Sequence, residues 1–505
     1  MKPQYVAIFH ANLNYAYLTP EKYERTIRAS YETIIDTFTK HPDQRYVFEA
    51  SGFTIDTMAA LTPDVLAKLK AAIATGQCEF MGAPYSHPIM ANIPEEDAYW
   101  SCEFAMRAFV KHLGFRPESF WNPECTWMQY VPRAFAKAGV KYLTLDFESY
   151  MVCNDKDYSW VERNRTHDMN WGGHLPWYPL DPNCPALHQP FRDVVPGMDG
   201  LCRSDRLVGK YIGYFLGRTS LPDFIANVKQ WTGDGNKGAT VIIADDAEYC
   251  GTSGYFFVKY YRDYTKCFDV DPQAGEKLDA LINAIREFGQ LVTFKEACQA
   301  EPVAEPFFVE DRFAWHRTFA DAWAGTPEAR HWDPILSELR QEYKMYVQPI
   351  TEGGTHPELQ ELTDAFWLHM TNSSNSDGRW PPPPAETCQF NRDWVESEIA
   401  DTRQVLAELR DLVKDLPLPM ANEEDVAVAT GYDFHFTDKP FADPADIPHL
   451  NNYEIQHAIY YYNSFVDSKE PEKIASGKIM LRAIFDELDR RGMKGIRHWA
   501  AEPGA

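Results

Sequence analysis

Clustered cysteine is the first thing this 505-residue chain lacks. Its cysteines stand at 78, 102, 125, 153, 184, 202, 250, 267, 298 and 388, with no CxxC pair. Neither a structural zinc site nor a disulfide framework finds the spacing it needs, so reduced thiols follow. Long apolar runs are missing too, and no window approaches the roughly 20 residues that cross a bilayer. Positive charge is scarce. Lys and Arg number 49 against 74 Asp and Glu, a net charge of −25, which repels a phosphate backbone and excludes nucleic acid as a partner. Glycine fingerprints for phosphate loops or dinucleotides are absent, as is the GxSxG elbow of a serine hydrolase. The opening MKPQYVAIFHANLN is too short in its apolar stretch for a signal-peptide core, and a cytoplasmic protein is expected.

What is present is a globular composition, 45% hydrophobic and 24% charged, rich in flat rings: 14 Trp, 27 Tyr and 30 Phe. Such rings fill cores and also stack on sugar faces. The length suits a barrel-sized domain followed by a smaller one.

Residues 1–146 repeat one pattern. The apolar run YVAIF (5–9) ends in His10, and Thr19-Pro20 opens a helix with Tyr23, Ile27, Tyr31, Ile34 and Phe38 on one face. RYVFEAS carries Glu49, a helix runs from Pro63 to Gly76, and QCEFMG carries Glu79. A third helix starts near Pro94 and stops at Gly114. SFWNPE, a helix from Pro132 to Gly139, and VKYLTLD, ending at Asp146, complete the series. Alternating strands and helices predict a parallel sheet joined by right-handed crossovers, with polar residues at the strand ends. Residues 150–235, rich in Trp, Gly, Pro, Asn and Asp, read as long loops that cover or shape a site. ATVIIADDAEYCG (239–251) is a buried strand running into two aspartates, and a helix (Glu276 to Phe288) and LVTF (291–294) close the first domain. Beyond residue 306 the periodicity is helical, over segments near 327–347, 357–371, 389–414, 451–466 and 470–491, interrupted by TNSSNSDGRWPPPP (371–384).

Two carboxylates stand out by position. Glu124 follows the fourth strand, and Asp246 follows a strand of nearly continuous apolar residues. Acids on facing strand ends suit glycosidic bond cleavage, where one attacks the anomeric carbon and the other protonates the departing oxygen. A single acid ahead of a helix is commonly a cap or first-turn charge instead.

Together, in order, these stretches resemble glycoside hydrolase family 57. FHANLNYA with His10 is similar to its first motif, GQCEFMGAPYSHPIM with Glu79 and His87 to its second, and Trp121-Asn122-Pro123-Glu124-Cys125 to the third, which carries the nucleophile. Asp246-Ala247-Glu248-Tyr249-Cys250-Gly251 is similar to the fourth, Asp-Gly-Glu-x-x-Gly, which supplies the acid/base. SSNSDGRW, with Asp377 and Trp380, is the counterpart of a Ser-Asp region in the helical part. The resemblance implies an incomplete (β/α)7 barrel over 1–300, and a helical domain over 307–505 whose loop near 371–384 reaches the active site. It implies a retaining α-glycan hydrolase or transglycosylase with Glu124 as nucleophile and Asp246 as acid/base, and no metal or cofactor. Its partner is an oligo- or polysaccharide, bound by His10, Asn12, Glu79, His87, Trp121, Asp377 and Trp380.

Asn12 stands where many relatives have the second His of His-x-His-Leu-Pro, and Ala247 replaces the usual Gly; both departures lie beside the expected sugar site. Glu124 is expected ionised, through hydrogen bonds or nearby cations. Asp246 is expected protonated, with Asp245 or Glu248 as a neighbouring charge. Trp127, Trp171, Trp177 and Trp367 read as core or loop anchors, and the sequons at 164–166 and 372–374 are idle in a cytoplasmic chain. Two other classes remain: a metal-dependent carbohydrate deacetylase or mannosidase-like enzyme using His10, His87, Asp245 and Asp246, and a non-catalytic carbohydrate-binding relative. The first lacks HxxxH or HExxH spacing. The second has no need of both acids.

Overall fold

The computed structural model describes residues 2–154, 181–234, 237–315, 318–351, 356–380, 389–414, 416, 443–450, 458, 462, 465–466 and 470–491. Trp171, Trp177, the sequon at 164–166, residues 381–384 and most of the segment 451–466 lie outside them.

Nine strands form one curled sheet: β1 (Gln4–Ala11), β2 (Tyr46–Ser51), β3 (Cys78–Ala83), β4 (Ser119–Phe120), β5 (Tyr142–Asp146), β6 (Phe191–Val195), β7 (Met198–Arg203), β8 (Ala239–Asp246) and β9 (Gln290–Val292). The order is β6-β7-β5-β4-β3-β2-β1-β8, with β9 also paired to β1. All neighbours are parallel except β6 and β7. The terminal strands β6 and β8 do not pair, so the barrel is incomplete, as expected. Near-continuous apolar runs make these strands because helices cover their outer face; Tyr5 to Phe9 and Val241 to Ala244 are buried throughout.

The helices between strands begin and end where their punctuation predicts. Pro63–Ala74 is followed by Gly76 at φ 75°, and Glu95–Leu113 by Gly114 at φ 92°. Without a Cβ, glycine takes these left-handed caps at no steric cost.

The segment 150–235 departs from the expected long loops. It holds the hairpin β6–β7 and the helices Asp205–Phe215 and Leu221–Thr232. Strands FRDVV and MDGLCR are short and carry charges, so their alternation is faint, and Gly197 at φ 80° makes the turn.

The later helices Pro327–Tyr346, Gln360–Asn372 and Gln389–Val413 build a second apolar cluster around Trp332, Tyr343, Phe366, Trp367 and Leu406, which Phe104 of the helix Glu95–Leu113 joins. Trp367 is thus a core anchor, and so is Trp127, packed edge-on to Phe307. Arg340 Nε donates to Asp97 Oδ1 at 2.7 Å, both side chains being buried. Ser86 Oγ donates to the Thr371 carbonyl at 2.6 Å, and Asn375 Nδ2 returns to the Ser86 carbonyl at 2.9 Å. These bonds fix the segment 371–380 against the carboxyl end of the sheet. No helix among the described residues is long and apolar enough to cross a membrane.

Asp97→Ala leaves Arg340 charged and buried without its partner, and is expected to cost about 3–5 kcal/mol of stability, read from urea unfolding. A loss below about 1 kcal/mol would mean that the pair does not clamp the helices to the sheet.

Candidate active site

Parallel strands end on the same side, and register sets which ends lie abreast. His10 is paired with Glu49 on one flank and with Asp246 on the other. The His10 Nδ1 contacts the Glu49 carboxylate directly. Its ring stacks on Trp121 at 5.2 Å between centroids and lies 4.9 Å from the ring of His87. Burial works against the imidazolium, but the Glu49 charge and hydrogen bond outweigh it, with Asp246 and Glu248 assisting, and His10 is pushed up to about 10. His87 goes the other way, lowered by burial and by the neighbouring His10 charge. One cation and one neutral imidazole therefore sit side by side.

Glu124 follows β4 in a turn that breaks the strand. Its φ is 54° and that of Cys125 is 47°, both left-handed without being glycine, at on the order of 1 kcal/mol or more each. The neighbours hold them: Asn122 Nδ2 donates to the Thr126 carbonyl at 2.8 Å, and Trp315 N–H donates to the Glu124 carbonyl at 2.8 Å. Trp315 sits beside the two-strand hairpin formed by Phe313–Ala314 and Thr318–Phe319. The turn leaves the Glu124 carboxylate facing a cavity of about 450 Å³. Its Oε2 is buried with no hydrogen-bond partner among the described residues.

Asp246 lines the same cavity and is held by Tyr15, whose hydroxyl donates to Oδ2 at 2.6 Å. Behind it the chain turns sharply. Ala247 N–H donates to the His10 carbonyl at 2.6 Å, and Glu248 swings out of the cavity to accept from Asn12 N–H at 2.9 Å and from the Tyr31 hydroxyl. Burial first, then the Asp246 charge, pushes Glu248 up to about 8. Gly251 ends this stretch because a Cβ there would lie 1.9 Å from the Ala29 carbonyl oxygen.

Asp377 arrives from the helical part. Its Oδ1 accepts from Ala16 N–H at 2.8 Å and its Oδ2 faces Asn12 Nδ2 at 3.4 Å. Burial, with Asp246 nearby, pushes it up to about 7 against the opposing Ala16 bond.

The fold therefore gathers His10, Asn12, His87, Glu124, Asp246, Asp377 and Trp380 around one cavity. Two expected members are not there. Glu79 is the second residue of β3, at the amino end of the sheet, where it accepts from Ser119 Oγ and, at 2.9 Å, from Lys295 N–H. The glutamate that meets His10 is Glu49. Trp121 is buried against the His10 ring and does not line the cavity; the tryptophans that line it are Trp315 and Trp380.

The surroundings of Glu124 work against the ionised form expected of it. Burial pushes it well above its ordinary value, Asp377 and Asp246 add to this, and His10 and Arg203 oppose. Reading the sequence also missed Tyr15, Lys259 and Trp315. Tyr15 lies within the first motif itself, and Lys259 is the one cation in the aromatic run YFFVKYY, whereas Trp315 falls in a stretch read as leading into helices. Lys259 is lowered by burial and sustained by Asp246, Asp245 and Glu124.

His10, His87, Asp245 and Asp246 do not converge as a ligand set. Among the described residues the one trio of acids close enough to share an ion is Asp146, Glu148 and Asp205, and the buried guanidinium of Arg203 already pairs with Asp146 and Asp205.

Comparison with known proteins places this geometry. The profile of glycosyl hydrolase family 57 matches residues 2–301. An α-amylase of Dictyoglomus thermophilum is 29% identical over 123 residues, 24% of this chain and 18% of that protein. A 4-α-glucanotransferase of Thermococcus kodakarensis is 25% identical over 138 residues, 27% and 20% of the two. The matched stretch is thus about a fifth of these relatives' length. A family 57 branching enzyme from Thermococcus kodakaraensis, solved with glucose, shares the fold at a TM-score of 0.61 and 12% identity, over 85% of this chain and 95% of that one.

The His10–Glu49 pair predicts a pH dependence of stability. His10 is raised in the folded state, so the pair stabilises fully below about pH 6.5 and fades as pH rises through about 10. The stability gap between the wild type and Glu49→Gln, measured by urea unfolding, is expected to narrow steadily from pH 6 to pH 10; a gap that stays constant would rule out a charged His10.

Proposed function

The chain belongs to glycosyl hydrolase family 57, and from that premise we propose that it cleaves or transfers α-linked glucan by double displacement. Glu124 is the nucleophile and Asp246 the acid/base. The observation that carries this reading is an unpartnered, buried Glu124 oxygen in the same cavity as an Asp246 anchored by Tyr15.

In the first step the Glu124 carboxylate attacks the anomeric carbon while Asp246 gives its proton to the glycosidic oxygen. In the second, Asp246 takes a proton from water or a sugar hydroxyl, which then displaces Glu124 and restores the same anomeric configuration. The elevated proton affinity of Glu124 fits this chemistry. A carboxylate destabilised by burial gains most when a positively charged, oxocarbenium-like ring develops beside it at low effective dielectric. The His10 cation favours the ionised form without donating to it directly. Asn12 and the neutral His87 border the cavity with polar groups for sugar hydroxyls, while Trp315 and Trp380 border it with ring surface. The amylase and glucanotransferase relatives support an α-glucan as substrate.

Glu124→Gln and Asp246→Asn are each expected to lower turnover of an α-glucan by at least about a thousandfold, with melting temperatures close to the wild type. A rate within about tenfold of wild type would remove that residue from the mechanism. Proton NMR of the first product is expected to show retention; an inverted anomer would contradict a covalent intermediate on Glu124.

Turnover needs ionised Glu124 and fails as pH falls. The acidic limb of kcat/KM is therefore expected well above the ordinary glutamate value of about 4.3. A limb at that ordinary value would mean that burial does not govern this group in the working enzyme.

A further inference from the structure

The cavity has a wall that a neutral glucan does not require. Lys210, Arg218 and Lys259 all line it, together with the acids Glu124, Asp245, Asp246 and Asp377. In a chain of net charge −25, most cations of the barrel find carboxylates, as Arg28, Lys68, Arg116 and Lys295 do. Lys210 and Arg218 make no ion pair among the described residues, nor are they among those with an unprinted partner.

Arg218 is instead set in place by packing and backbone. Its guanidinium lies over the Phe256 ring at 4.9 Å. The N–H groups of Arg218 and Thr219 both donate to the Gly213 carbonyl, at 2.7 and 3.0 Å, folding the turn back onto the helix Asp205–Phe215. Gly213 permits this, since a Cβ there would lie 2.7 Å from Thr219 Oγ1. Gly209, one turn earlier, also borders the cavity, so the helix presents bare backbone on either side of Lys210. Lys259, from the helix Phe256–Tyr261, lines the same cavity, its ammonium 3.4 Å from the Tyr255 hydroxyl and within electrostatic reach of Asp245, Asp246 and Glu124.

We propose that the cleft takes a sugar carrying a phosphate ester, received at this rim by Lys210 and Arg218. The inference rests on the glycosidase reading above and names the substrate class for the same site. A phosphate monoester carries about −1.5 to −2 charges at neutral pH and three acceptor oxygens. That charge matches a guanidinium and an ammonium with no ion pair among the described residues, whereas a carboxylate brings one charge and two acceptor oxygens. The substituent's negative charge is met by Lys210 and Arg218, while Lys259 offsets the charge of Glu124, Asp245 and Asp246 in the same cavity.

The test is calorimetric binding of glucose, glucose 6-phosphate, glucose 1-phosphate, glucuronate and inorganic phosphate to the wild-type chain and to the Lys210→Ala/Arg218→Ala double variant. At least one sugar phosphate is expected to bind about tenfold or more tighter than glucose at low ionic strength. That advantage is expected to shrink as salt rises from about 10 to about 200 mM and to fall within about twofold in the double variant. Both side chains are exposed, so the variant is expected to keep the wild-type melting temperature. Sugar phosphates that bind no better than glucose, or an advantage that survives the double variant, would overturn the proposal. Glucuronate binding as tightly as the sugar phosphates would replace phosphate by carboxylate and overturn it too, and inorganic phosphate matching them would reduce the rim to a general anion site. Failure here is distinct from failure of the glycosidase reading, which the turnover of neutral α-glucan by Glu124→Gln decides independently.

Discussion

Everything in the cleft depends on one buried ion pair, His10 with Glu49. Acids crowd this end of the sheet: Glu124, Asp246, Asp377, Glu248 and Glu49 are close enough to perturb one another. Such a group is tolerable only with positive charge at its centre, because isolated buried carboxylates neutralise rather than remain charged. His10 supplies it from β1, the strand flanked by both β2 and β8. Glu49 keeps the imidazole charged against burial, Trp121 supports its face, and the adjacent His87 is forced to stay neutral. Remove that charge and Glu49, Glu124, Glu248 and Asp377 all lose a neighbouring positive charge at once.

Around that charge the protein has divided its carboxylates by partner. Glu248 and Asp377 accept hydrogen bonds from backbone amides of the segment Asn12–Ala16, and so shape the loop after β1. Asp246 accepts from Tyr15 in the same segment. Among the described residues Glu124 accepts from no side chain, which suits the nucleophile's part proposed for it. A single short loop, FHANLNYA, thus distributes three acids, and its sequence reflects hydrogen-bond geometry as much as sugar contact.

Much of this was legible in the residues because strand ends advertise themselves: an apolar run followed abruptly by a polar group located His10, Glu124 and Asp246. Proline and glycine punctuation gave helix limits to within a residue or two. What failed was position along a strand. Glu79 and Glu49 both sit in strand-like stretches, yet only register and length tell that the former lies at the amino end and the latter abreast of His10. Trp121 and Trp315 were likewise indistinguishable as rings; which one is covered depends on a hairpin of two-residue strands too short to leave a pattern. The charged strands β6 and β7 were lost for the same reason.

Asp377 reaches Ala16 across 361 positions of chain, and the Ser86 and Asn375 bonds that seat its loop span nearly as many. A ribosome must therefore release most of the polypeptide before the cleft can acquire its last wall. The nascent barrel carries early the two acids proposed to react but lacks the piece that completes the cavity around them, so the site is whole only in the finished molecule.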